Sequence, residues 1–220
     1  MHKTVQNLLN IKTQIKTKIV ELKYNYTPEI IAVSKTFSMD HIRPLIESGH
    51  IHFGENKVQE ALAKWNEIKK VNEQLKLHMV GKLQSNKAKN AVEIFEYIHS
   101  LDNQKLADIL YKSQKNLNKS LKYFIQVNIG NELQKSGINV NELDSFYSYC
   151  TNEIKLDVIG LMVIPPNDGK TIKYFKSMEE INNSFALNEL SMGMSADYVE
   201  GIKHGSTFVR IGSSIFGSRS

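Results

Sequence analysis

The sequence predicts an α/β fold, a single (β/α)8 TIM barrel with one extra helix at its N-terminus. Three observations carry that reading. Eight short apolar runs recur along the chain, amphipathic helical stripes fall between them, and no glycine-rich phosphate loop follows the first run IIAVSKTFSMD. Strands alternating with helices mean βαβ units and a parallel sheet. A doubly wound open sheet would want the missing loop, so the closed barrel is preferred.

The runs are IIAVS (30–34), IHF (51–53), LHMVG (77–81), YIHS (97–100), YFIQVN (123–128), VIGLMVI (158–164), ELSM (189–192) and FVRIG (208–212). Ahead of them, Val5, Leu8, Ile11, Ile15, Ile19 and Leu22 fall at three- and four-residue spacings, which makes Met1 to Tyr24 an added helix covering one end or side. Between the runs, Val58, Leu62, Trp65 and Ile68 make one helical stripe. Leu106, Ile109 and Leu110 make a second, and Ile172, Phe175, Met178, Ile181 and Phe185 a third. Leu143, Phe146, Tyr147 and Cys150 share a further helical face, so Cys150 reads as a buried core thiol. The pair Pro165 and Pro166 marks a strand exit, and with no Pro/Gly linker the chain reads as one domain, 1–220.

Composition narrows the function. A chain of 220 residues with 41% hydrophobic content can bury a sizeable core. The net charge of +5 comes from scattered lysines with no block of like charge and no arginine-rich arm, which argues against nucleic acid. The N-terminus lacks an uninterrupted apolar region, and no segment approaches the roughly 18 consecutive apolar residues of a membrane span. A cytoplasmic protein is expected. The single cysteine suits a reducing compartment.

In a parallel barrel the chemistry gathers at the C-terminal ends of the strands. Lys35 stands at the first such end, Glu55 and Asn56 at the second, Gln126 and Asn128 at the fifth and Met162 at the sixth. Ser195 falls where a helix should start, and Gly212, Ser213 and Ser214 follow the last strand, so backbone amides and hydroxyls can converge there on an anion. Taken alone, Ser195 also suits an N-cap with Asp197 in the first turn, and Lys35 a snorkelling surface lysine. Arg210 is harder to dismiss. Flanked by Phe208, Val209 and Ile211 in a buried strand, it must find an acceptor. A lysine facing an anion cradle suggests a Schiff base to a phosphorylated aldehyde, either a sugar phosphate in an aldolase or pyridoxal 5′-phosphate.

The segments AVSKT around Lys35, HFGENKVQE (52–60), H-x-x-G-x-LQSNK (78–87), QVNIGNE with KSGI (126–138), GLM (160–162) and LSMGMSADYVEGIKHGSTFVRIGSSIFGSR (190–219) resemble the YggS/PROSC family of pyridoxal phosphate homeostasis proteins. The resemblance covers nearly the whole chain from Ile30 onward. It implies a barrel similar to the N-terminal domain of alanine racemase. It also implies that Lys35 holds pyridoxal 5′-phosphate as a Schiff base, that Arg210 faces the pyridine nitrogen, and that Ser195 with the amides of Gly212 and Ser213 takes the phosphate. Asn56 would lie near the ring, and Met162 would touch it. Leu77 and Met79 stand where the family leads one to expect aromatic residues.

The function so implied is cofactor binding in vitamin B6 homeostasis without established turnover, by a monomer that can pass cofactor to pyridoxal-phosphate-dependent apo-enzymes. An arginine facing the ring nitrogen keeps it unprotonated and weakens carbanion stabilisation. The alternative is an amino-acid racemase. It would need a second base, for which His78, Tyr24 and Glu55 are the candidates, and this sequence carries no second β-domain to supply a tyrosine. A cofactor-free aldolase is disfavoured by the terminal motif. The basic stretch LQSNKAKN (83–90), with Lys87 and Lys89, is a surface for partners or a second cofactor molecule, or simply a helix start capped by Ser85.

Overall fold

The computed structural model describes residues 1–132 and 134–217, so Ser218 and Arg219 of the terminal motif lie outside the described residues. Its strands are β1 (Glu29–Val33), β2 (His52–Glu55), β3 (Lys76–Met79), β4 (Tyr97–Leu101), β5 (Lys122–Asn128), β6 (Ile138–Asn139), β7 (Asp157–Val163), β8 (Glu189–Met194) and β9 (Phe208–Ile211). All pair in parallel in the order β4-β3-β2-β1-β9-β8-β7-β5, and β4 pairs with β5 to close the ring. The two-residue β6 hangs on the end of β5 outside that ring. The eight ring strands are the eight apolar runs of the sequence, shifted by a residue or two.

Helices α1 (Lys3–Leu22), α2 (Met39–Glu47), α3 (Val58–Val71), α4 (Ala88–Ile94), α5 (Gln104–Asn116), α6 (Leu143–Ser148), α7 (Thr171–Ser184), α8 (Tyr198–Lys203) and α9 (Ser213–Phe216) pack outside the barrel. The added helix α1 buries Leu8, Ile11, Ile15 and Ile19, each contributing about 1.5–3 kcal/mol of burial. It packs on α9, α2 and α8. Asn7 Nδ2 donates to Ile215 O at 2.9 Å and Tyr198 OH donates to Gln14, so the helix braces the elements that follow the last two strands. Among the described residues no helix is long and apolar enough to cross a membrane.

The period of two along each strand sorts its side chains between two cores. Ile30 and Ala32 join the large cluster between strands and helices, whereas Ile31 and Val33 join Phe124, Met162 and Phe208 in a small one. Leu77 and Met79 pack in the large cluster and are almost fully buried, so aliphatic side chains fill that shell without leaving it open. Cys150 is fully buried in the turn that continues α6, and burial first, then Asp108, pushes its thiol up to about 12. It is a core residue.

Candidate functional site

At the C-terminal ends of the strands lies a cavity of about 350 Å3 whose lining includes Lys35, Ser195, Arg210, Gly212 and Ser213. These five come from the exits of β1, β8 and β9 and from β9 itself, which are neighbours in the ring. Val33, Val80 and Ile164 give the cavity an apolar wall. Its size is that of a small-ligand pocket, with a few convergent polar groups.

Lys35 sits on a clamped turn. Thr36, immediately after it, has φ 67°, a conformation that β-branched residues rarely adopt. Its amide donates to Glu60 Oε1 at 2.7 Å. Lys64 Nζ then ties three acceptors together: Ser34 O at 3.0 Å, Glu55 Oε1 at 3.0 Å and Glu60 Oε1 at 3.1 Å. Glu55 Oε1 also accepts Ser34 Oγ at 2.8 Å and Trp65 Nε1 at 2.9 Å. Strand alternation sends Glu55 outward to α3, so its carboxylate fastens the β1 exit to that helix. Burial opposes ionisation of Glu60, but the bonds from Thr36 and Lys64 outweigh it and hold the carboxyl below its usual range.

Across the cavity, Ser195 Oγ accepts the backbone amides of Gly212 at 3.2 Å and Ser214 at 3.3 Å. An oxygen therefore fits at the focus of these donors, as an anion cradle requires. Ser195 is not a helix cap. Helix α8 starts at Tyr198 with Asp197 in the cap position, and Asp197 Oδ1 accepts the amide of Met194 at 2.6 Å. Gly193 makes the approach possible. Its φ is 89°, and a Cβ there would stand 2.8 Å from Tyr198 Cα.

Arg210 finds the acceptors its burial demands. Nη1 donates to Ser191 Oγ at 2.6 Å and Nη2 to Val163 O at 2.8 Å. Burial pulls its pKa down to about 10, with Asp197 opposing, so it stays cationic at neutral pH.

The remaining sequence candidates fall elsewhere. Asn56 lines a neighbouring cavity of about 490 Å3 with Gly81, Lys82 and Lys87. Met162 is fully buried in the small interior cluster and does not line the 350 Å3 cavity. Gln126 Nε2 donates to Ser136 O at 3.2 Å. Ser85 opens a short 3-10 turn whose cap position is Gln84, so Ser85 is not the cap of α4. Of the candidate second bases, Glu55 is committed to the clamp, His78 is fully buried inside the barrel, and Tyr24 OH donates to Lys203 O at 3.1 Å. None of the three lines the 350 Å3 cavity. Among the described residues no group of His, Cys, Asp or Glu is arranged to hold a metal ion.

Comparison with known proteins gives a consistent pattern. The family described as "Alanine racemase, N-terminal domain" matches residues 10–220. The pyridoxal phosphate homeostasis protein of Pasteurella multocida (strain Pm70) is 36% identical over 97% of this chain and 97% of its own. The structure of PipY from Synechococcus elongatus PCC7942, with PLP bound, is 35% identical and covers 92% of this chain and 100% of its own, with a TM-score of 0.79. Alanine racemase of Clostridium difficile 630 shares the fold at 14% identity and a TM-score of 0.70 over 99% of this chain, which corresponds to 57% of the racemase.

Proposed function

Because the chain belongs to the alanine racemase N-terminal domain family, and within it to the pyridoxal phosphate homeostasis proteins, we propose that it binds pyridoxal 5′-phosphate on Lys35 in the 350 Å3 cavity. The observation that carries this reading is the convergence of three unlike groups on one cavity. These are an amine at the end of β1, a guanidinium on β9, and Ser195 with the Gly212–Ser213 backbone that its hydroxyl anchors. Bound there, pyridoxal phosphate supplies an aldehyde for amine capture and an electron-withdrawing ring.

Each residue then has a task that follows from its chemistry. Lys35 provides the nucleophile, aimed by the Thr36–Glu60 and Lys64 bonds. Ser195 and the amides of Gly212, Ser213 and Ser214 receive the phosphate at the opposite wall. Arg210, fixed by Ser191 and Val163, offers its remaining N–H groups to the ring nitrogen and leaves that nitrogen without a proton. Asn56 and Met162 are assigned supporting places, one beside the site and one beneath it.

The protein acts in pyridoxal phosphate homeostasis, and we assign it no turnover. An arginine at the ring nitrogen weakens carbanion stabilisation, and His78, Tyr24 and Glu55 are all engaged elsewhere. We further assign it a cytoplasmic location, a monomeric state and a single domain, with cofactor passed to pyridoxal-phosphate-dependent apo-enzymes. The test is to incubate the loaded protein with an apo-enzyme and, separately, with amino acids in deuterated water. Activation faster than by free cofactor, with no exchange at Cα, is the expected pair of results. Exchange at Cα would favour a racemase instead, and activation no faster than by free cofactor would remove delivery.

A further inference from the structure

Beneath Arg210 the barrel interior holds a continuous chain of side chains from six different strands. Arg210 Nη1 reaches Ser191 Oγ at 2.6 Å, and Ser191 Oγ lies 2.9 Å from His99 Nδ1. His99 Nε2 is 2.9 Å from His78 Nδ1, and His78 Nε2 is 2.9 Å from His52 Nδ1. At the far end, His52 Nε2 faces Glu29 Oε2 at 3.6 Å. The chain thus runs from the cofactor cavity to a second cavity of about 650 Å3 at the N-terminal ends of the strands, whose lining includes Glu29 and His52.

The two ends decide its direction. A guanidinium can only donate, an ionised carboxylate can only accept, and a neutral imidazole does one of each. Reversing His78 or His52 would set two N–H groups face to face on one side and two lone pairs on the other, and reversing His99 would oppose two lone pairs at His78 and leave the buried Ser191 proton without its His99 acceptor. A cationic ring would offer N–H groups on both sides and break the chain in the same way. Burial, with the neighbouring histidines and Arg210, holds His78 and His99 well below their usual pKa and so uncharged. The ring planes are fixed by stacking: His78 on Tyr97 at 4.2 Å and 11°, His99 on Phe124 at 4.3 Å and 18°.

We propose that Arg210, Ser191, His99, His78 and His52 form a one-way hydrogen-bond relay in which every proton points away from Arg210 and all three histidines are Nε2–H tautomers, the last proton drawn toward the Glu29 carboxylate by its charge, and that this relay is the positioning device for Arg210. With the Ser191 proton committed to His99, the Ser191 oxygen is an acceptor for the guanidinium and no competing donor. A change in the protonation or ligation of Glu29 at the floor of the barrel therefore has a route to the cofactor cavity. The direction of the relay stands on its own geometry; its positioning role rests on the cofactor reading above.

The experiment is nitrogen-15 NMR of the histidine rings in protein without cofactor. Nε2–H signals for His52, His78 and His99 at neutral pH are expected, and an Nδ1–H or cationic form of any of them overturns the relay. The second sample is Glu29→Gln, a change at a side chain that is 56% exposed. The neutral carboxamide removes the negative charge that draws the His52 Nε2 proton, so the ring signals of His99 at the far end are expected to change along with those of His52. A response confined to His52 contradicts a continuous relay. For the positioning role, Ser191→Ala is expected to weaken pyridoxal phosphate binding about tenfold and shift its visible band, with Ser191→Thr restoring both. Unchanged binding and spectrum would overturn that role. Failure of the cofactor reading looks different: no cofactor fixed on Lys35 in the wild type, with the tautomers as stated.

Discussion

The backbone amide of Thr36 donates to Glu60 Oε1 at 2.7 Å, and Thr36 itself stands at φ 67°. A strained residue next to Lys35 is thus held by a carboxylate on α3. Glu60→Ala is expected to destabilise the fold by about 1–2 kcal/mol, since the bonds from the Thr36 amide and from Lys64 are both lost from a half-buried site. Its larger effect should fall on Lys35, whose rate of capture by pyridoxal phosphate drops while Tm moves little. Stopped-flow absorbance beside a thermal melt separates the two.

Ser195→Ala removes the oxygen that gathers the amides of Gly212 and Ser214. Affinity for pyridoxal phosphate should fall by about tenfold. Affinity for pyridoxal, which has no phosphate, should not change. Parallel absorbance titrations with the two aldehydes measure the difference, and an equal loss for both would place the phosphate elsewhere.

Buried uncharged histidines make the protein sensitive to acid. Burial, helped by Lys12 and His52, lowers His50 to about 3, and burial with Lys76 lowers His52 to about 4. His78 and His99 are lowered as well. The unfolded chain protonates these rings near their ordinary value while the folded chain does not, so the unfolded state binds more protons as pH falls below about 6.5. Stability should therefore be full above that pH and decline toward pH 4 by up to about 1.4 kcal/mol per unit for each such ring. Urea titrations at pH 7 and pH 5 give the slope, and His50→Gln should make it shallower by about one proton.

Gly160 lies opposite Glu189 where β7 pairs with β8. A Cβ there would come 2.0 Å from Glu189 O, a contact with backbone that no rotamer change relieves. Gly160→Ala is expected to cost about 3 kcal/mol or more, read as a fall in the urea midpoint. This gives the glycine of GLM a packing reason at the wall of the barrel.

The strands, and the residues that line the 350 Å3 cavity, were legible because their signals are local. A buried parallel strand is a short apolar run, and Lys35, Ser195, Arg210 and Gly212 each break or end one in a way that calls for a partner. The short helices were not. Helix α2 carries Pro44 and buries only Ile42 and Leu45, too few positions for a periodic stripe. Glu60 and Lys64 read from sequence as an i, i+4 pair on a solvated helix face, and only the approach of the β1 exit to α3 gives them a task. Met162 shows the opposite case. Standing near a strand end, it suggests a ring contact, yet alternation along β7 turns its side chain into the closed interior. The relay has no local signature at all, since His52, His78 and His99 are brought together by strand register alone.

Lys35 is the residue proposed to hold pyridoxal phosphate. The most direct measurement is borohydride reduction of the protein loaded with pyridoxal phosphate, followed by mass analysis of its peptides. The visible band is expected to vanish and the reduced cofactor's mass to appear on the peptide containing Lys35, with Lys35→Ala gaining neither band nor mass. A band that survives in Lys35→Ala, or cofactor fixed on another lysine, would contradict it.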